Sequence, residues 1–258
     1  MAFEEITLSF GDGLARLTLN RPQKVNALSE RMVDELGRAC GMIAAEPRAR
    51  VVLLAAAGKH FCAGHLLDEM VDRSPADYRR IFENCTAMMT RLRELPQPLV
   101  GQVQGVATAA GCQLVAACDL AVASQSARFA TPGVRIGLFC STPAVPLVRA
   151  VGRKRALEML LTGRWVSAAE ACDWGLVNKV VATEDLVAEA EKLALQIAAA
   201  SPLTLALGKK TFYDQVGRPE PEAFKLATGN MALNLCMDDA QDGIKAFLGK
   251  REPVWNGK

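Results

Sequence analysis

The sequence predicts an α/β fold, on two observations. Three continuous apolar runs, Val51–Ala56, 99–106 and 120–123, read as strands covered on both faces, because a sheet face open to water would alternate polar with apolar residues. Amphipathic stretches with apolar residues at helical spacing lie between them, and strands alternating with helices are the pattern of a mainly parallel sheet.

The elements follow in order. Ile6, Leu8 and Phe10, then Leu14, Leu17 and Leu19, flank Gly11-Asp12-Gly13, which predicts a hairpin with positive backbone angles in its turn. Ser29 is placed to cap a helix carrying Met32, Val33, Leu36, Ala39, Cys40 and Ile43 and ending at Glu46-Pro47. Asp68 and Glu69 fall on a short helix, where solvation or capping accounts for both. Tyr78, Ile81, Phe82, Cys85, Met88, Met89 and Leu92 form a stripe that reads as core packing and stops before Pro96-Gln97-Pro98. Beyond Thr142 the pattern is almost wholly helical, with segments at 146–151, 153–161, 167–174, 184–200, 202–216 and 221–247. No Gly/Ser linker or short-period repeat interrupts it, so the helical tail is expected to pack on the core or on another subunit.

With 258 residues, half of them hydrophobic, the chain can bury a sizeable core. A net charge of +2, with no basic run longer than groups such as Arg153-Lys154-Arg155, argues against nucleic acid as a partner. Eight cysteines without a C-x-x-C pair, beside only two histidines, predict free buried thiols in a reducing cytosol, with neither disulfides nor metal. Met1-Ala2-Phe3-Glu4-Glu5 lacks the basic and apolar parts of a signal peptide, so a cytoplasmic location is expected. The longest apolar region, 98–124, is interrupted by Gln102, Gln104, Gln113 and Asp119, which would be costly in lipid, so no membrane span is expected.

Chemistry concentrates in 101–119. Gly105, Ala107, Ala109, Ala110 and Gly111 are small enough for close backbone approach, and they lead into the apolar 114–118 segment where a loop becomes a helix. The first N–H groups of a helix lack intrahelical partners and form a ready site for negative charge. Together with Phe61-Cys62-Ala63-Gly64-His65 upstream, this stretch resembles the crotonase (enoyl-CoA hydratase/isomerase) superfamily. The resemblance covers essentially the whole chain, through Asn20-Arg21-Pro22, Asn26-Ala27-Leu28, Cys118-Asp119, Phe129 with Pro132, Leu161-Thr162-Gly163 and Phe247-Leu248-Gly249-Lys250-Arg251. Ala109-Ala110-Gly111-Cys112-Gln113-Leu114 and Gly137-Leu138-Phe139-Cys140-Ser141-Thr142-Pro143 resemble its enoyl-CoA hydratase domain-containing branch, which is linked to fatty-acid metabolism.

The resemblance implies a crotonase-like spiral of ββα turns over 1–200 holding an acyl-CoA site, and a helical trimerisation region over 201–258. It implies a homotrimer or a dimer of trimers, acting on an acyl-CoA thioester with no cofactor beyond the coenzyme A of the substrate. The backbone N–H groups of His65 and Ala110 match the family's oxyanion donors, with Gly64 and Gly111 beside them, and such a donor is worth on the order of 3 kcal/mol in catalysis. Ala27 and Ala63 match the lining of the CoA channel, while Lys24, Phe247 and Lys250 match residues near the adenosine phosphate. Hydratases of the family carry two glutamates where this chain has Gln113 and Gly133. A carboxylate that moves protons contributes about 10² to 10⁴ in rate. Gln113 offers only an amide that can hold water or a polar acyl group, and Gly133 offers no side chain. Cys140 and Ser141 are weak substitutes, whereas the imidazole of His65 titrates near neutrality at the oxyanion site. Thioester processing without the ordinary hydratase mechanism is therefore expected; the alternative is a non-catalytic acyl-CoA binder or structural relative.

Overall fold

The computed structural model describes residues 3–257. Its N-terminal hairpin pairs β1 (Ile6–Gly11) antiparallel with β2 (Leu14–Leu19), and Asp12 and Gly13 take the two positive-φ turn positions at 56° and 78°. Helix α1 (Glu30–Ala45) starts at Ser29, whose hydroxyl accepts the Met32 N–H at 3.0 Å. Strand β3 (Val51–Ala56) and helix α2 (Pro75–Glu94) follow as predicted.

The apolar run 99–106 is two strands, not one. β4 (Leu99–Val103) and β5 (Val106–Thr108) belong to different sheets, and the chain turns between them at Gly105, φ +57°. A Cβ at Gly105 would lie 2.2 Å from the Lys59 carbonyl oxygen, so only glycine makes this corner. Helix α3 (Ala110–Ala117), β6 (Leu120–Ser124) and the short β7 (Arg128–Ala130) complete this half of the chain.

The second half contains α4 (Ser141–Val151), α5 (Arg153–Thr162), β8 (Val166–Ser167), α6 (Ala168–Trp174), β9 (Lys179–Val181), α7 (Leu186–Ala198), α8 (Pro202–Gln215), α9 (Glu220–Leu235) and α10 (Asp238–Leu248). A six-stranded sheet runs β1-β2-β3-β4-β6-β9 with every pair after the first parallel, and a smaller sheet runs β5-β7-β8. The single expected helix over 221–247 is broken at Cys236–Met237. Nor is the region beyond 142 purely helical. β9 extends the large sheet, and α7 covers one of its faces by packing Leu186, Ala190, Ala194 and Ala198 on Leu14, Val51, Leu53, Val100 and Val122. The main core lies on the opposite face, so β3 is apolar throughout because helices cover both sides of it. Among the described residues no helix is long and apolar enough to cross a membrane.

Helix α8 is fastened to the sheet through Asp119. Its carboxylate receives Lys209 Nζ at 2.7 Å, Tyr213 Oη at 2.7 Å and the Leu99 N–H at 2.6 Å, with the Lys209 and Asp119 side chains only 9% and 15% exposed. Lys209→Ala leaves that carboxylate without its cation. It is expected to cost about 3–5 kcal/mol of unfolding free energy, read from urea midpoints, whereas Tyr213→Phe removes one hydrogen bond and costs about 1–2 kcal/mol.

Candidate active site

The two small-residue segments meet. Strand β5 receives 61–63 through the Thr108 N–H to the Cys62 carbonyl (2.9 Å) and the Thr108 hydroxyl to the Ala63 carbonyl (3.0 Å). The Ala109 N–H donates to the Ala130 carbonyl at 2.9 Å, tying the start of α3 to β7. Ala109 itself is held at φ 50°, ψ −117°, a costly conformation for a residue with a Cβ. That turn delivers Ala110 as the first residue of α3, where its N–H has no intrahelical acceptor.

Two glycines allow this proximity. A Cβ on Gly64, φ +93°, would sit 2.9 Å from the Ala109 Cβ and 3.4 Å from the Ala110 nitrogen. One on Gly111 would sit 2.1 Å from the Cys62 carbonyl oxygen. Among the described residues, neither the His65 nor the Ala110 N–H donates to a backbone acceptor, although their neighbours Leu28, Leu66, Thr108 and Ala109 all do. The geometry therefore presents two amide donors from adjoining segments, an arrangement suited to an oxygen that gains negative charge.

The loop that precedes α1 is built by Asn26, which the sequence marks only as part of a motif. Fully buried, it accepts the Arg21 N–H and donates to the Ala57 and His60 carbonyls, each at 2.9 Å. Val25 and Asn26 both have positive φ, and the turn they form lets the Ala63 N–H reach the Val25 carbonyl at 3.0 Å while the Leu28 N–H reaches the Gly64 carbonyl at 2.7 Å, so Ala27 and Ala63 lie on adjoining segments. Lys24 forms an exposed pair with Asp68 at 3.2 Å. Phe247, 84% exposed, lies at the end of α10, and Lys250 follows just beyond it.

The remaining polar groups part company. Gln113 is buried, its Oε1 has no partner, and its side chain lines a cavity of about 1280 Å³ between α2, α3, α4 and α8. His65 lines a different cavity, of about 250 Å³ between α1 and α2, and its ring packs edge-on against Phe82 at 5.3 Å with its Nε2 buried and unpartnered. Thr131, beside the Ala130 carbonyl that anchors Ala109, also buries an unpartnered hydroxyl, which no sequence pattern signalled.

Position 133 has no room for a side chain. A Cβ there would lie 2.1 Å from the Leu138 carbonyl oxygen and 2.9 Å from the Cys140 thiol, because the loop folds back and the Leu138 N–H bonds the Gly133 carbonyl at 2.9 Å. Backbone thus fills the space that a glutamate would need. The thiols are poor nucleophiles: burial pushes Cys62, Cys85 and Cys112 up to about 12 and also raises Cys140.

Burial lowers the pKa of His65 from the ordinary imidazole range. Its contribution to stability is whole above the unfolded-state pKa of about 6.5 and is lost as pH falls from there through the lower folded-state pKa, because the unfolded chain binds the proton first. Urea midpoints for the wild type should therefore drop between pH 7.5 and 5.5 by more than those of His65→Leu.

The sequence profile described as enoyl-CoA hydratase/isomerase matches residues 9–258. The chain belongs to this family. Enoyl-CoA hydratase domain-containing protein 3, mitochondrial, from Xenopus laevis is 49% identical over 244 residues, covering 94% of this chain and 83% of the relative. The crystal structure of the human enoyl Coenzyme A hydratase domain-containing protein 3 superposes with a TM-score of 0.95 at 44% identity, covering 98% of this chain and 100% of that one. An enoyl-CoA hydratase from Mycobacterium smegmatis gives the same TM-score at 48% identity, covering 98% and 99%. The fold is accordingly the crotonase fold, as the sequence resemblance implied. The cytoplasmic expectation is corrected: the frog, mouse and human relatives are all named mitochondrial, which points to mitochondria rather than the cytoplasm. Free thiols do not discriminate among reducing compartments.

Proposed function

We propose that this member of the enoyl-CoA hydratase/isomerase family binds an acyl-CoA thioester and stabilises the enolate form of its acyl group, with the thioester oxygen between the His65 and Ala110 amides. The observation that carries this reading is the contact of Gly64 with Ala109–Ala110, which brings two amides without backbone acceptors to one place. Ala27 and Ala63 border the thiol arm of CoA, Gln113 faces the acyl group, and Lys24, Phe247 and Lys250 take the nucleotide end.

Hydration by a carboxylate pair is not part of the proposal. Gln113 does not titrate, and the Leu138 carbonyl leaves no room for a side chain at position 133, where the resemblance implies the second acid, so binding without hydration is the second reading that this loop favours. Helices α8–α10 expose Phe212, Phe224, Met231, Leu235, Phe247 and Leu248, and this surface supports assembly into a trimer or a dimer of trimers. Titration with butyryl-CoA and a crotonyl-CoA hydration assay test the two readings together. Saturable binding with hydration at least about 10²-fold below a two-glutamate relative is expected. Absence of binding removes the proposal, and hydration at a relative's rate removes the exclusion of acid–base chemistry.

A further inference from the structure

The cavity of about 250 Å³ between α1 and α2 lies behind the oxyanion segment. Leu28, Val33, Ile81 and Met88 give it an apolar floor, and Gly37 keeps it open at the α1 side. Above Gly37 lies the guanidinium of Arg91, whose Nη1 would stand 3.4 Å from a Cβ at that glycine.

Its polar groups are unevenly matched. The acids on its wall are engaged: Glu30 by Arg73 and Arg80, Asp34 by Arg38, and Glu69 by the Glu30 N–H. Among the described residues, Arg91 is in no ion pair, the Arg91 and Asn84 side chains are in no hydrogen bond, and His65 Nε2 is buried without a partner. What stays available around an apolar floor is therefore the Arg91 guanidinium and the Asn84 carboxamide.

We propose that this cavity is a binding site for a small monocarboxylate with an apolar tail, its carboxylate held by Arg91 and its tail on Leu28, Val33, Ile81 and Met88. Guanidinium suits a planar carboxylate, which it can bind through two parallel hydrogen bonds. Asn84 supplies a neutral contact. His65 borders this cavity, and its backbone N–H belongs to the proposed thioester site. Occupancy here and thioester binding are thus coupled, and the coupling must be reciprocal. The coupling rests on the proposed thioester site; the carboxylate site itself does not.

Calorimetric titration of the full chain with hexanoate, hexanol and hexylammonium tests the site. Hexanoate is expected to bind saturably and at least about tenfold more tightly than either analogue. Arg91→Gln, a change at an exposed position that leaves butyryl-CoA binding unaltered, is expected to weaken hexanoate by about tenfold or more, and Gly37→Leu to abolish it in a protein whose circular dichroism is unchanged. If Gly37→Leu does not fold, Arg91→Gln decides alone. No saturable hexanoate binding, equal binding of the three probes, or undiminished hexanoate affinity in Arg91→Gln each overturns the proposal. Hexanoate binding without butyryl-CoA binding would instead leave this site standing and remove the thioester reading.

Discussion

Gly111→Ala is expected to eliminate measurable butyryl-CoA binding while the helical and sheet content of the protein persists. The added methyl would lie 2.1 Å from the Cys62 carbonyl oxygen, so α3 and the 61–65 segment must separate. Separation pulls the Ala110 amide away from the His65 amide and opens the junction against which the thioester would lie; loss of one such donor costs about 10²–10³ in the turnover of comparable enzymes. Gly41→Ala is the control: nothing lies within 4 Å of the added carbon, and an alanine in α1 is expected to raise stability by about 0.5–1 kcal/mol with binding unchanged. Titration calorimetry and circular dichroism on both variants read the outcome. Wild-type affinity in folded Gly111→Ala would show that the junction does not position the thioester.

The second large effect concerns the missing acid. Placing glutamates at both positions where the sequence resemblance implies them, Gln113→Glu with Gly133→Glu, is expected to yield a destabilised protein and no hydratase. Gln113→Glu alone is nearly isosteric and folds, although its new carboxylate is buried. Gly133→Glu drives a side chain into the Leu138 carbonyl and the Cys140 thiol, and overpacking of this kind costs about 1–3 kcal/mol or more. For a chain of this size that lowers the melting temperature by about 2–12 °C, measured by scanning calorimetry. A double variant that melts with the wild type and hydrates crotonyl-CoA would contradict the filled position.

Most of the architecture was legible because helices and buried strands announce themselves by period. Ser29 and the stripe after it located α1 closely, and the Gly-Asp-Gly turn located the hairpin. The misreadings arose where long-range packing overrides local pattern. Nothing apolar marks the corner at Gly105; the Lys59 carbonyl that makes it necessary lies far away in sequence. β8 spans only 2 residues, too few to show alternation, and β9 is a strand because β6 offers it an edge. In the site, small residues revealed where backbone would come close. Sequence could not reveal that the Leu138 carbonyl turns back onto Gly133, or that His65 and Gln113 line separate cavities.

A crystal structure of the protein with butyryl-CoA measures the central relation directly. The thioester oxygen is expected about 2.7–3.1 Å from both the His65 and the Ala110 nitrogens, with the Gln113 carboxamide and no carboxylate facing the α and β carbons. An acyl group seated away from those amides, or an aspartate or glutamate oxygen in contact with its reacting carbons, would contradict it.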